Sequence, residues 1–383
     1  MESYAQQVHR CFGCGYCKFT TNYGDYNCPA YARFRLETYS TGGRLWLING
    51  WLKGDLAWSP RLAEILYTCT TCKNCVEQCP MGFATDIVDW IVSARSDAVE
   101  RTGKIPAPVG RFLEATRSYS NPWKLPPADR DAWADGVKRY QPGDDYLLYV
   151  GCLGSYDEVA QQMARSVARL LTRAEISFGV LGKDEGCCGN EVHKLGEMGL
   201  FQALVEKNVR QLQELGVKKV VTLSPHAFNV FKQEYPKYGG SFEVYHYTQL
   251  VQELVKRGRI TPAPNRLTVT YHDPCYLGRY NKVYEEPRRI LKGTPGVELV
   301  EMSRVKKDSF CCGGGSGNFI TDLLTGEDSP SRVRIREAKK TGAEVLAVAC
   351  PACLVMFTDA VKAEGLEGKL AVRDISQIVQ GEP

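Results

Sequence analysis

The sequence predicts a multidomain α and α/β protein: a small all-helical N-terminal domain followed by two duplicated α/β units. Three observations carry that reading. All 16 cysteines of the 383-residue chain fall into four groups, two of them crowded into residues 11–79. A stretch with prolines at 106, 108, 122, 126, 127 and 142 then separates these from the rest. Beyond it, short apolar runs alternate with amphipathic stretches, and the alternation occurs twice.

Residues 1–102 are rich in aromatic side chains. Two cysteine motifs flank a segment of mostly helical pattern, 31–66, and an amphipathic helix over 87–100 closes the domain. Residues 103–145 have a proline density that suits neither helix nor strand interiors, so a linker wrapped over the surface is expected. From Tyr146 the pattern reads strand, helix 158–171, strand 176–182, helix 200–215, strand 218–223, the texture of parallel strands with crossover helices.

The duplication is visible in spacing. Cys152 precedes Cys275 by 123 positions, Cys187 precedes Cys311 by 124, and Ser224 precedes Cys350 by 126. One repeat of about 125 residues explains all three offsets. The expected units are 146–262 and 263–383, with the cysteines beyond the carboxyl ends of parallel strands, where such folds bind ligands.

Composition narrows the function class. A chain of this length buries ordinary cores without disulfide staples, so its cysteines need another explanation. The opening MESYAQQVHR has no apolar stretch, which places the expectation in a reducing cytoplasm where thiolates stay free for metal. The longest apolar runs, near 87–92 and 146–150, are far short of a membrane span. A net charge of +4 gives no case for nucleic acid, and the densest basic stretch, 332–340, alternates with apolar residues as a solvated helix face does.

Cys69, Cys72, Cys75 and Cys79 followed by Pro80 form the CxxCxxCxxxCP run of bacterial ferredoxins; Cys11, Cys14, Cys17 and Cys28 followed by Pro29 form the same run with a longer last gap. In paired runs of this kind the fourth cysteine serves the other cluster. The expected pairing is therefore crossed: Cys11, Cys14, Cys17 and Cys79 for one 4Fe-4S cubane, and Cys69, Cys72, Cys75 and Cys28 for the other. Structural zinc calls for two pairs of ligands per ion and no proline signature.

The C-terminal group is rarer. Adjacent Cys311 and Cys312 start from Cα atoms about 3.8 Å apart and diverge, so they suit a cluster whose irons are bridged by thiolate sulfur. Gly313, Gly314 and Gly315 give the backbone freedom to bring N–H groups to those sulfurs. Cys350, Cys353 and Cys275 complete a set of five, one more than a cubane needs. A vicinal disulfide switch and a zinc site are the alternatives at this level.

A lone cysteine, then CCG, then CPxC, occurring twice after a two-cluster domain, resembles the cysteine-rich CCG domains of heterodisulfide reductase catalytic subunits, in their fused form. The resemblance covers nearly the whole chain. It extends to iron-sulfur subunits of glycolate and lactate oxidases, of anaerobic glycerol-3-phosphate dehydrogenase, and of complexes serving electron-transfer flavoprotein or benzoyl-CoA reduction. It implies a non-cubane 4Fe-4S cluster at Cys275, Cys311, Cys312, Cys350 and Cys353, where disulfide chemistry or electron exchange occurs.

The first repeat departs from the pattern: its CPxC is SPHA, with Ser224 and Ala227 in place of thiolates. Cys152, Cys187 and Cys188 remain, and with His226 or a non-protein ligand they offer a site for a further iron-sulfur cluster or zinc; a vestigial site is the other reading. His9, His193, His246 and His272 are expected to be structural or to donate hydrogen bonds to sulfur, His272 being the best placed for the second role. Without a Walker A run or a GxGxxG opening a helix, neither nicotinamide nor flavin binding is expected. Electrons then come from, or go to, a partner: a flavoprotein, a dehydrogenase, or a membrane quinone or cytochrome subunit that holds the chain at the inner face of the membrane. Catalysis by an oxidoreductase subunit within an anaerobic complex and pure electron relay are the two function classes that remain.

Overall fold

The computed structural model describes residues 2–382. The N-terminal part is built from short helices, including Pro29–Phe34, Thr41–Lys53, Pro60–Tyr67 and Asn74–Gln78, with one isolated antiparallel bridge between Phe19 and Tyr26. Ser40 caps Thr41–Lys53 by accepting the Gly43 N–H, and Ser59 caps Pro60–Tyr67 in the same way from Leu62. The closing helix, Ile87–Thr102, is buried on nearly every side rather than amphipathic. Its polar residues gave the amphipathic pattern, but Arg95 is fully buried: it donates to the carbonyls of Leu66, Cys69 and Lys194 and to the Ser316 hydroxyl, tying the N-terminal part to both α/β units.

The proline-dense stretch also differs from expectation, because it contains the helix Ala107–Tyr119. Pro108 lies in the first turn, where a helix leaves N–H groups unpaired anyway, so the ring costs no hydrogen bond. Val109, Phe112 and Leu113 of this helix are buried, as are Arg130 and Trp133 farther along. The stretch thus contributes to the core as well as crossing the surface.

Two four-stranded parallel sheets follow. The first contains β1 (Tyr146–Tyr149), β2 (Phe178–Gly179), β3 (Lys219–Thr222) and β4 (Glu243–His246) in the order β2-β1-β3-β4. The second contains β5 (Leu267–Tyr271), β6 (Val297–Leu299), β7 (Val345–Val348) and β8 (Ala371–Asp374) in the equivalent order β6-β5-β7-β8. Register repeats too: Val220 pairs with Leu147 and Val244, as Val345 pairs with Val269 and Ala371. Of the central strands, β1 and β7 are apolar throughout because helices cover both faces. The two units share one apolar core, and Tyr247 donates to the buried Asp374 across their junction.

This topology positions the cysteines. Cys152 and Cys275 lie in the short helices directly after β1 and β5, and Ser224 and Cys350 cap the helices after β3 and β7. Cys187 with Cys188, and Cys311 with Cys312, sit in the loops between β2 and β3 and between β6 and β7.

Candidate iron-sulfur centres

The eight N-terminal cysteines line two small cavities. One is lined by Cys11, Cys14, Cys17 and Cys79, the other by Cys28, Cys69, Cys72 and Cys75. Thr41, at the start of the helix Thr41–Lys53, lines both, so the positive end of that helix faces the thiols. The backbone amides of Gly13, Gly42 and Met81 favour the ionised forms of Cys11, Cys17 and Cys79, and those of Tyr31 and Asn74 the ionised forms of Cys28 and Cys72. Burial, helped by the Cys28 thiol, pushes Cys17 up to about 12; burial pushes Cys28 up to about 11. Cys14 alone among the 16 is exposed.

The spacing of the N-terminal donors suits a group larger than a single ion. A single zinc ion with Zn–S bonds of about 2.3 Å holds its sulfurs about 3.8 Å apart. Among the described residues, the one group of three ligand atoms all within 4.8 Å of one another is His272, Cys312 and Cys353. Neither N-terminal set is that compact, and a set of thiols around a wider space fits a cluster.

At the second α/β unit the five cysteines are each 6% exposed or less. Cys353 donates to Cys312 at 3.4 Å, Cys311 is in hydrogen-bonding contact with Cys275, and the N–H groups of Gly313 and Gly314 reach the sulfurs of Cys311 and Cys312 at 3.4 Å. Gly313 has φ 89°, the left-handed conformation this turn requires. Hydrogen bonds from Cys311 and Cys353 lower Cys312 to about 5. Burial opposes ionisation of Cys350, yet Cys353 and the charge of His226 bring it to about 7. This is a dry bank of sulfur donors with several acidic members, suited to releasing protons as a metal group binds.

His272 sits against this bank. Its Nδ1 accepts from Arg334 Nε at 3.3 Å, and arginine has no acceptor, so the neutral ring carries its proton on Nε2. That Nε2 is buried without a protein partner, leaving its N–H free for a sulfur. The other histidines are elsewhere: His9 is exposed, His193 stacks on Phe201 at 4.6 Å, and His246 caps the helix Tyr247–Lys256.

The second N-terminal set meets the C-terminal bank directly. The Thr70 hydroxyl lies 3.8 Å from the Cys311 sulfur, and the Cys311 thiol, with burial, pushes Cys72 well up. Thr71 bonds Tyr276 and Ser316 at 3.0 and 3.1 Å.

In the first unit Cys152 is in contact with Cys187, and Arg130 Nη2 donates to the Cys152 sulfur at 3.4 Å. Ser224 serves as a helix cap, accepting the His226 N–H at 3.2 Å. His226 bonds Glu191 through Nδ1, and its ring lies 4.0 Å from that of Tyr276 in the other unit. A cavity between the units is lined by Cys152, Cys187, Cys188 and His226 on one side and by Phe319, Pro351 and Ala352 on the other. Sequence spacing did not reveal Arg130, Glu191, Arg279 or Arg334, since none lies in a cysteine motif.

Comparison with known proteins agrees with this geometry. A 4Fe-4S dicluster domain matches residues 7–83, and a cysteine-rich domain matches twice, at 146–232 and 269–358. The chain is 39% identical over 328 residues to a probable iron-sulfur-binding oxidoreductase, FadF, of Bacillus subtilis, covering 82% of this chain and 46% of that one. It is 36% identical to an EtfAB:quinone oxidoreductase of Syntrophomonas wolfei, covering 83% and 46%. The chain thus spans about half the length of these two relatives. To a dihydromethanophenazine:CoB–CoM heterodisulfide reductase subunit of Methanosarcina barkeri it is 32% identical, covering 82% of this chain and 77% of that one. A crystal structure of a hypothetical protein from Helicobacter pylori shares the fold, with a TM-score of 0.50 at 12% identity over 90% of this chain and 68% of its own. Motifs, duplicated sheets and extended identity together establish that this chain belongs to the CCG-domain iron-sulfur protein family, the family of that heterodisulfide reductase subunit.

Proposed function

We propose that the chain is an iron-sulfur oxidoreductase subunit that passes electrons between two N-terminal 4Fe-4S cubanes and a C-terminal non-cubane 4Fe-4S cluster within a larger redox complex. The observation that carries this is that the loop of Cys72 meets the C-terminal bank, the Thr70 hydroxyl lying 3.8 Å from the Cys311 sulfur and Arg279 of the second unit donating to the Cys72 carbonyl at 2.7 Å. Cys11, Cys14, Cys17 and Cys79 hold one cubane, Cys28, Cys69, Cys72 and Cys75 the second, and Cys275, Cys311, Cys312, Cys350 and Cys353 the non-cubane cluster. These groups supply one-electron redox steps. The protein's part is to aim N–H groups at the sulfurs, exclude water, and orient the Nε2–H of His272 toward Cys312 and Cys353.

Partners are a flavoprotein, a dehydrogenase or a membrane quinone or cytochrome subunit, through which the chain is held at the membrane. No helix among the described residues is long and apolar enough to cross a membrane. Cys152, Cys187 and Cys188 offer a site for a further iron-sulfur cluster or zinc, with His226 or a non-protein ligand as fourth. A second reading, relay without disulfide chemistry, is favoured by Ser224 and Ala227, which leave the first unit without a CPxC pair.

Iron and sulfide analysis of anaerobically purified protein tests the core of the proposal. At least three clusters are expected, about 12 irons per chain; zinc in place of iron would refute it. Cys311→Ser or Cys312→Ser replaces a thiolate with a far less acidic ligand and is expected to abolish the C-terminal paramagnetic signal while the N-terminal cubanes remain reducible. A small thiol that shifts this signal in the oxidised protein supports disulfide chemistry, and an indifferent signal supports relay.

A further inference from the structure

Arg279 lies where the two donor sets meet. It follows the helix Cys275–Gly278 and is buried. Its Nε donates to the carbonyl of Cys72 at 2.7 Å, and its Nη1 to those of Lys307 and Ser309 at 3.0 and 2.7 Å. These bonds fix the guanidinium plane, yet Nη2 is buried with no protein acceptor. Leaving a buried donor unpaired is costly, so an acceptor other than a protein oxygen is to be looked for. Arg279 follows Cys275 by four positions and bonds the Cys72 carbonyl, and the thiols of Cys72, Cys275 and Cys311 act on its charge.

Two features make this more than a structural clamp. No carboxylate lies within ion-pair distance of Arg279 among the described residues, so its charge is not neutralised locally. The first unit offers the contrast: at the equivalent cysteine Arg130 Nη2 donates to the Cys152 sulfur at 3.4 Å, but that arginine is also paired with the buried Glu185 at 3.2 Å.

We propose that Arg279 is the positioning residue that sets the reduction potentials of the second N-terminal cluster and the C-terminal cluster together, by directing one unneutralised positive charge and a free N–H at the sulfurs between them. The inference rests on the reading that both sites hold iron-sulfur clusters. In the step concerned one electron leaves one cluster and enters the other; no bond forms, no proton moves, and Arg279 stays charged throughout. A fixed cation favours the reduced, more negative form of each cluster, so it raises both potentials.

The test is an anaerobic redox titration followed by electron paramagnetic resonance on wild type, Arg279→Gln and Arg279→Lys. For Arg279→Gln the oxidised-to-reduced ratio at fixed potential should rise at least tenfold at both clusters, a fall of 59 mV for a one-electron couple. The cubane beside Cys14, which has no contact with Arg279, should not move. Arg279→Lys keeps the charge but not the fork, and its two potentials should lie between those of wild type and the Gln variant. Wild-type potentials in either variant with full iron content would overturn the inference while leaving the cluster assignment intact. An equal shift at all three clusters, or a Gln variant that loses iron from both sites, would also overturn it by making Arg279 a structural clamp. Absence of the cluster signals from wild type would instead remove the functional reading itself.

Discussion

Gly315→Ala tests whether the loop Cys69–Cys72 is locked onto the C-terminal bank. A Cβ built at Gly315 falls 2.3 Å from the carbonyl oxygen of Thr70, whereas ordinary contact begins near 3.4 Å. The obstacle is backbone on both sides, so relief requires the loop and the bank to separate by about 1 Å. Overpacking of this kind costs about 1–3 kcal/mol, and the separation strains the bonds of Thr71 to Tyr276 and Ser316, each contributing about 1 kcal/mol. A loss near 3 kcal/mol lowers the melting temperature by about 6–12 °C in a domain of 150–250 residues. Anaerobic scanning calorimetry is the assay, with the second cubane's magnetic interaction with the C-terminal cluster as a second readout that should weaken. Gly110→Ala is the control: its Cβ meets nothing within 4 Å, and an alanine in the helix Ala107–Tyr119 is expected to stabilise by about 0.5 kcal/mol. A melting temperature for Gly315→Ala within 1 °C of wild type, about the error of such a measurement, would refute the interlock.

Cys28→Ser is expected to alter the same cubane signal as Cys72→Ser, because both line one cavity; a change confined to the cluster of Cys11, Cys14 and Cys17 would refute the crossed pairing. Stability is expected to fall on acidification. Burial holds His193 near about 2 and His246 near about 3 in the fold, so their contribution is present above the unfolded value of about 6.5 and is lost as pH falls below it. Asp374, raised by burial to about 6, runs the other way, its contribution being present at low pH and lost as pH rises through 6. Below 6.5 the two histidines weaken the fold and Asp374 partly offsets them, so anaerobic urea unfolding should show lower stability at a pH of about 5.5 than at about 7.5. His246→Gln should flatten that slope; a slope unchanged by the substitution would refute the assignment to His246.

The cysteine groups, the duplication and the central strands are legible in the amino-acid order alone. Ligand spacing in a loop such as Cys69–Cys79 is a local property, and β1 and β7 are apolar throughout, while β3 and β5 carry apolar residues at most positions, because helices cover both faces, so each announces itself in a short window. The edge strands β4 and β8 were not legible, since they are short and half-exposed, and their pairing with β3 and β7 supplies what their composition does not. The helix Ala107–Tyr119 was hidden by prolines that fall before it and in its first turn. His226 reads as part of the first unit's motif, but the fold commits its Nδ1 to Glu191 and lays its ring beside Tyr276 of the second unit. The fold alone brings Thr70 to the Cys311 sulfur, 241 positions away, and places Arg279 on the Cys72 carbonyl and Arg130 on the Cys152 sulfur. Such contacts follow from how whole elements pack, and packing brings together residues whose separation along the chain carries no periodic signal.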